Sequence, residues 1–316
     1  MIDPDVLNAL LNDRDPSLRY RTLTELLDRA ADDPEVVACR ERIPASQRVA
    51  RIMTKMHPEG YWLFKGDGDG VCYRDYVTTH FNLANLAELG MGRADERVAL
   101  AADRYLGLTQ KDGDYDGHMS CLYGLNIRSF VMLGYGEDPR VQRTIALMHT
   151  TERHDGGYLC DMHEGKRITR AVKSCMRGCV NALTAYAALP HLWDTPRCRA
   201  LVDYFLRRRV CYRMGDPETP VFGEITSTIF PFTWRAGLLE ALYALSTMGY
   251  GQRDEMTAAW GLLDAKRDEG GLYRLDWDPP RTLLRTGKRG APNTWVTFYA
   301  LLALSRRDDS HRSRAV

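Results

Sequence analysis

Cysteine is the residue type in this 316-residue chain whose spacing most suggests chemistry. Two of the eight cysteines, Cys121 and Cys175, stand in the same Ser-Cys-x-x-Gly pattern at the predicted starts of two apolar helices. A helix dipole favours the thiolate at the helix N-terminus, and the thiolate is the form that binds a metal or attacks carbon. Cys160 and His163 follow a glycine-rich loop that leads back towards the same end, and Cys72 precedes an earlier predicted helix. These spacings predict a metal site with the ligands Cys72, Cys121, Cys160, His163 and Cys175.

Zinc is the metal that this set of residues favours, because a tetrahedral zinc site takes three or four thiolate and imidazole ligands. An iron–sulfur cluster is the less favoured choice. The alternative is that the cysteines only pack, since cysteine is among the most buried residue types and none of these spacings is a tight Cys-x-x-Cys. The other cysteines are interpreted as packing or surface residues: Cys39, Cys179, Cys198 and Cys211.

The elements that must position these cysteines repeat along the chain. Glycines close apolar helical runs at residues 89–92, 133–136 and 248–251, and each run is followed by an acidic turn, a second helix and a glycine loop. The unit recurs roughly every fifty residues, which predicts a repeat architecture. Hairpins of this size cannot bury an apolar face alone, so we expect an inner ring of apolar helices inside an outer ring of more polar ones.

Three segments are expected from this pattern. Residues 1–50 predict a helical lead-in, because Asp-Pro pairs at residues 15–16 and 33–34 mark helix starts. Residues 51–305 hold the repeats. The polar and basic residues 306–316 predict a frayed tail.

The repeated helices, the Asp-Gly-Gly-Tyr loop at residues 155–158 and the Leu-Gly-Tyr-Gly helix end at residues 133–136 carry a family resemblance. With them the sequence resembles the prenyltransferase and squalene-cyclase repeat superfamily over residues 50–305. The resemblance implies an all-α fold, an α/α toroid of about five to six helical hairpins with an N-terminal lead-in. Shorter segments resemble an uncharacterised bacterial squalene-cyclase-like group, and that likeness carries no activity with it; they lie at residues 15–21, 120–124, 173–178, 287–288 and 295–297.

The acidic motifs of terpene chemistry are missing from the sequence. It contains no Asp-x-Asp-Asp to protonate an alkene and no Asp-Asp-x-x-Asp to hold magnesium against a diphosphate. The nearest candidate, residues 66–70, alternates two aspartates with three glycines and is interpreted as a flexible turn. Ordinary terpene cyclisation is therefore not favoured.

Aromatic residues concentrate near the predicted starts of the inner helices, where their rings are expected to line a central cavity for an apolar or cationic ligand. Packing between repeats is the alternative role for such rings. The residues expected to line the cavity are Trp62, Tyr76, His80, Tyr123, Trp234 and Trp295. Asp116 and His118 are the predicted catalytic acid or base, and helix-terminal hydrogen bonding is the alternative role for His118.

Composition limits the partners and the location that we expect. Forty-three Lys and Arg against forty-two Asp and Glu give a net charge of +1, which does not favour nucleic acid. No secretory pattern opens the chain, and no apolar run approaches the eighteen or so residues of a membrane span. A cytoplasmic location with reduced cysteines is therefore expected.

The sequence predicts an enzyme that acts on a small or isoprenoid-like apolar substrate in a central cavity, with a cysteine-bound metal at the cavity mouth. Its reaction would be that of a metal-assisted cyclase, lyase or transferase. The alternative is a non-catalytic toroid that binds a hydrophobic ligand or a peptide and uses its cysteines for packing. A toroid like the polysaccharide lyases is less favoured, because no cleft set of Asn, His, Tyr and Arg is obvious in the sequence.

Overall fold

The structure is a computed structural model, and it describes residues 2–63, 76–115, 120–160 and 173–309. The first segment forms the predicted helical lead-in. Its helices are α1 (Pro4–Leu11), α2 (Pro16–Arg21), α3 (Pro34–Arg42) and α4 (Gln47–Met53), and a single π-helical turn, Thr22–Leu26, follows α2.

The repeats follow as alternating inner and outer helices. The inner helices are α5 (Thr79–Glu88), α7 (Ser120–Met132), α9 (Met176–Ala187), α11 (Leu238–Thr247) and α13 (Thr294–Asp308). The outer helices are α6 (Glu96–Leu106), α8 (Pro139–Thr150), α10 (Pro196–Leu206) and α12 (Thr257–Asp264). Each inner helix packs against the next one along the chain, α5 on α7, α7 on α9, α9 on α11 and α11 on α13.

After the lead-in, the described part of the chain thus contains four helical hairpins and the single helix α13. Its only strands form a short antiparallel pair, β1 (Tyr212–Arg213) and β2 (Asp216–Pro220). Helix α13 continues through Asp308, so it includes the first residues of the segment that the sequence predicts as a frayed tail. None of the described helices combines the length and the apolar character that a membrane span requires.

Local sequence rules explain where many of these helices begin and end. An aspartate followed by proline opens α1, α2, α3 and α8, and in each case the aspartate side chain accepts a hydrogen bond from a backbone N–H two residues on. Glycines with positive φ end three inner helices: Gly90 at 80°, Gly134 at 89° and Gly249 at 86°. A left-handed residue at this position is a common helix stop that glycine adopts without strain. The glycine helix stops predicted from the sequence are confirmed.

Two glycines allow α7 and α9 to approach closely. A Cβ at Gly124 of α7 would lie 2.6 Å from the carbonyl carbon of Asn181 in α9. A Cβ at Gly178 of α9 would lie 2.4 Å from Oγ of Ser120 in α7. These are the glycines of the two Ser-Cys-x-x-Gly patterns, so the matched motifs are the contact points of neighbouring inner helices.

A buried ionic network joins the lead-in to the inner ring. Glu88, at the end of α5, accepts hydrogen bonds from Arg128 of α7 and from Arg21 at the end of α2, the latter at 2.6 Å. The hydroxyl of Tyr299 in α13 also donates to Glu88 and accepts from Arg21 at 2.6 Å and from Arg128 at 2.9 Å. Burial alone would raise the pKa of Glu88, but the charges of Arg128 and Arg21 outweigh it and hold that pKa below its usual value. Helices α2, α5, α7 and α13 therefore share one charged centre.

Removing the carboxylate of Glu88 is expected to destabilise the whole ring. Glu88→Gln removes the carboxylate that Arg128 and Arg21 share and leaves Arg21 paired with Glu25 alone. We expect the free energy of unfolding to fall by about 3–5 kcal/mol. Urea denaturation followed by circular dichroism measures the change. Glu35→Gln is the matched control, since Glu35 pairs with Arg19 at the surface and such pairs contribute about 0–1 kcal/mol. Equal losses in the two variants would contradict a structural role for the network.

Candidate functional site

The inner helices α5, α7, α9 and α11 begin at one end of the fold. Tyr76 precedes α5, Cys175 is the N-cap of α9, and Trp234 precedes α11. The ring of Tyr76 lies nearly parallel to that of Trp234, with centroids 6.3 Å apart, and packs with Leu125 of α7. Asn181 of α9 donates a 3.5 Å hydrogen bond to the carbonyl of Trp234. The starts of these helices therefore surround a common region.

The structure brings cysteines together in this region, in what we call the thiol cluster, Cys121, Cys160 and Cys175. The Sγ atoms of Cys121 and Cys160 are 3.9 Å apart, and Oγ of Ser120 is 3.5 Å from Sγ of Cys160. The backbone N–H of Cys175 donates a 2.7 Å hydrogen bond to the carbonyl of Tyr158, which ties the start of α9 to the loop that ends at Cys160. Cys121 and Cys160 are buried, and Cys175 is partly exposed.

The first turn of α7 shifts the pKa values of Cys121 and Cys160 in opposite directions. The hydrogen bond from Cys121 lowers the pKa of Cys160 to about 6, with further help from the Ser120 hydroxyl and the backbone N–H groups of both residues, although burial opposes the shift. The same hydrogen bond, together with burial and the neighbouring Cys175, raises the pKa of Cys121 well above its usual value. The Ser120 hydroxyl and the backbone N–H groups therefore favour the thiolate at Cys160 over the thiolate at Cys121.

The predicted metal site is only partly described. Cys72 and His163 lie outside the described residues, as do the predicted catalytic residues Asp116 and His118. Among the residues that are described, no group of three or more His, Cys, Asp or Glu side chains is placed to share an ion. The separation of Cys121 and Cys160 is close to the distance of about 3.8 Å that Zn–S bonds of about 2.3 Å give between two sulfurs in a tetrahedral site.

Most of the aromatic residues predicted to line a cavity are instead packed between helices. Trp62 is buried and donates from Nε1 to the carbonyl of Ile52 at 2.9 Å. Trp295 is fully buried and stacks on Phe230, with ring centroids 5.0 Å apart. Tyr123 is buried edge-on against the ring of Tyr158. These side chains fill the apolar interfaces of the inner helices, so the structure assigns them to packing. Tyr76 and Trp234 do lie at the common region.

His80, which was also expected to line the cavity, is buried. Its ring lies 4.0 Å from that of Phe81, centroid to centroid, and neither ring nitrogen has a hydrogen-bond partner in the described part of the chain. Burial lowers the pKa of His80 to about 3, so the imidazole is neutral at physiological pH. This environment corrects the expectation that His80 lines an open cavity.

A second group of residues at the same end was missed from the sequence. We call it the arginine–tryptophan face, and it consists of Arg177, Glu224, Trp234, Arg235 and Trp277. The Arg177 guanidinium lies 5.6 Å from the Trp234 ring, and that of Arg235 lies 5.5 Å from Trp234 and 5.0 Å from Trp277, measured to the ring centroids. Glu224 accepts from both arginines, at 3.2 and 3.1 Å.

The face is contiguous with both the thiol cluster and Tyr76. Arg177 lies in the first turn of α9, two residues after Cys175. Arg235 donates from Nε to the hydroxyl of Tyr76 at 3.3 Å. Two guanidinium groups share one carboxylate, and the Nε of Arg177 is buried without a hydrogen-bond partner among the described residues. The arrangement places two indole rings beside an excess positive charge.

The sequence carried one signal for this face. Trp234 was expected at the common region, and Arg235 follows it directly. Glu224 and Trp277, by contrast, come from irregular segments before α11 and before α13, where no helical period indicates which side chains will meet.

Comparison with known proteins supports the fold only. No protein-family model matches the sequence, and no curated protein matches it either. A solved structure titled "Polysaccharide Lyase BACCELL_00875" matches 99% of this chain and 98% of its own, with a TM-score of 0.54 and 14% identity. A protein from Actinoplanes (15% identity, 85% of this chain and 99% of that one) has a TM-score of 0.38. The type II terpene cyclase MstE from Scytonema (13% identity, 84% and 96%) has a TM-score of 0.34.

The similarity to the lyase extends over nearly the full length of both chains, and it supports the predicted mostly helical toroid fold. The narrower resemblance to a squalene-cyclase-like group stays a prediction.

Proposed function

We propose that this chain is a toroid enzyme that acts on an acidic carbohydrate held at the arginine–tryptophan face. The observation that carries the proposal is the position of Arg177 and Arg235 beside the Trp234 ring, both bound to the single carboxylate of Glu224. Indole rings offer flat faces for the C–H surface of a sugar, and guanidinium groups bind carboxylates through paired hydrogen bonds. The two features together fit a carbohydrate that carries carboxylate groups.

The hydrogen-bond inventory of the face favours an anion over an apolar ligand. The buried Nε of Arg177 has no acceptor among the described residues, and a buried unsatisfied donor costs about 1–3 kcal/mol. A ligand carboxylate could accept a hydrogen bond from that Nε and neutralise the positive charge that Glu224 leaves. The small or isoprenoid-like apolar substrate expected from the sequence would leave the Nε without an acceptor and the charge without a partner.

The fold gives the proposal a second, weaker support. The solved structure that matches over the full chain is titled a polysaccharide lyase, although one toroid fold hosts many chemistries and fixes none. The lyase class was less favoured from the sequence because no cleft set of Asn, His, Tyr and Arg was obvious. The structure does bring Tyr76 and Arg235 within 3.3 Å of each other. In this proposal the arginines hold the ligand carboxylate and the Tyr76 hydroxyl exchanges a proton with the bound sugar.

Loss of Arg177 should weaken binding of an acidic oligosaccharide selectively. Hydrogen bonds to charged groups contribute about 1.5–3 kcal/mol, so we expect Arg177→Gln to raise the Kd for a uronic-acid hexamer roughly 10- to 100-fold. Calorimetry measures the Kd, and the ultraviolet absorbance of an unsaturated uronate reports lyase turnover. Arg199→Gln is the matched control, since Arg199 is an exposed arginine of α10 paired with Asp194.

A neutral hexamer of the same length should bind the wild type more weakly than the acidic one. Equal binding of the two hexamers, or equal effects of Arg177→Gln and Arg199→Gln, would contradict the proposal. Binding without turnover would instead favour the non-catalytic toroid that the sequence left open.

A zinc centre at the thiol cluster is the second candidate, and the 3.9 Å separation of the Cys121 and Cys160 sulfurs favours it. In this candidate Cys121 and Cys160 hold Zn²⁺ together with Cys72 and His163, which lie outside the described residues. Bound zinc would supply a Lewis acid or an activated thiolate at the end of the fold where the substrate is proposed to bind.

Metal analysis of the purified protein tests this candidate. On this candidate the wild type holds close to one equivalent of zinc. The Cys121→Ala and Cys160→Ala double variant holds none, because it lacks two thiolate ligands. Cys39→Ala is the control, since Cys39 packs in a separate apolar cluster of the lead-in with Leu23 and Val36. The candidate fails if neither wild type nor control contains a metal.

A further inference from the structure

The two close thiols of the cluster come from different parts of the chain. Cys121 lies in the first turn of α7, and Cys160 lies 39 residues later, shortly after the glycine pair at residues 156–157. Their sulfurs are 3.9 Å apart and share a hydrogen bond. A disulfide has an S–S distance of about 2.05 Å, so the sulfurs have to approach by about 2 Å.

The surroundings make the two sulfurs unequal. Oγ of Ser120 and Sγ of Cys121, both in the first turn of α7, lie 3.5 and 3.9 Å from Sγ of Cys160. A hydroxyl and a second thiol beside one sulfur, at the start of a helix, assign Cys160 as the sulfur that attacks first. A nucleophilic sulfur beside a second thiol is the arrangement from which a sulfenic acid is resolved to a disulfide.

We propose that Cys121 and Cys160 form an oxidisable dithiol, a modification site at which a hydroperoxide converts the two thiols into a disulfide. The Cys160 sulfur attacks the peroxide, so an S–O bond forms, the O–O bond breaks and the departing alkoxide or hydroxide takes up a proton. The Cys121 sulfur then attacks the sulfenic sulfur, so an S–S bond forms and the oxygen leaves as water with the proton of Cys121. Two thiols and one hydroperoxide give one disulfide, one alcohol and one water.

Other cysteines lack these features in the described part of the chain. Burial raises the pKa of Cys179 to about 12 and that of Cys211 to about 12, which keeps both as inert thiols. The sulfur of Cys198 lies 3.8 Å from the sulfur of Met248. Methionine is a thioether, so this contact cannot give a disulfide. Cys175 is the competing partner, since it lies near Cys121 and is partly exposed. The experiment therefore has to separate Cys175 from the proposed pair.

The dithiol does not depend on the carbohydrate function, and it excludes zinc on the same sulfurs, because metal-bound thiolates are not free to form a disulfide. Full-length protein is analysed for metal as purified and then treated with one equivalent of hydrogen peroxide. We expect the intact mass to fall by that of two hydrogen atoms, and non-reducing peptide mapping to find a peptide linked through Cys121 and Cys160. Dithiothreitol should restore the original mass.

Three serine variants, each checked for native circular dichroism, identify the sulfurs. Cys160→Ser should slow the loss of thiols at least tenfold, and Cys121→Ser should leave a sulfenic acid on Cys160 that a dimedone probe traps. Cys179→Ser, the matched buried control, should oxidise like the wild type. The proposal is overturned by a map linking Cys175 instead, by unchanged thiols, or by a bound zinc that blocks oxidation. If Cys160→Ser does not fold, the wild-type peptide map alone decides between these results.

Discussion

Close contact between the starts of α7 and α9 is the constraint on which the candidate site depends. Glycine at positions 124 and 178 removes the side chains that would collide with Asn181 and Ser120. A side chain at either position would force the helices apart and separate the first turn of α7 from the loop that carries Cys160. The thiol cluster is thus a product of helix packing as much as of cysteine chemistry, because the same short motif supplies both the thiol and the glycine.

The inner ring has a different character at its other end. Glu88 ends α5 and Arg128 lies in the second half of α7. Tyr299 of α13 and Arg21 of the lead-in bind to them there. A buried cluster of this kind is stable only when each charge is paired and hydrogen-bonded, so it favours one arrangement of four helices over alternatives. The lead-in therefore anchors one end of the ring, while the aromatic, arginine and thiol groups gather where the inner helices begin.

Sequence reasoning succeeded where the structure repeats. Helix caps, glycine stops and the matched positions of Cys121 and Cys175 follow from short local rules, and the structure places these features as those rules require. Sequence reasoning did not place the rings of Trp62 and Trp295. The repeat period locates the start of a helix, but it does not indicate whether an aromatic ring faces an opening or a neighbouring helix. Sequence reasoning also missed Glu224 and Trp277, whose positions are set by irregular segments that only tertiary packing orders.

The central claim is that ligand binding takes place where α9 and α11 begin. Hydrogen–deuterium exchange of the full chain, with and without a uronic-acid hexamer, tests it most directly. Bound ligand should slow exchange in residues 173–181, 222–237 and 274–289, and it should leave the outer helices α6 and α8 unchanged. Protection spread over the outer helices, or no protection at a hexamer concentration that saturates binding, would contradict the account.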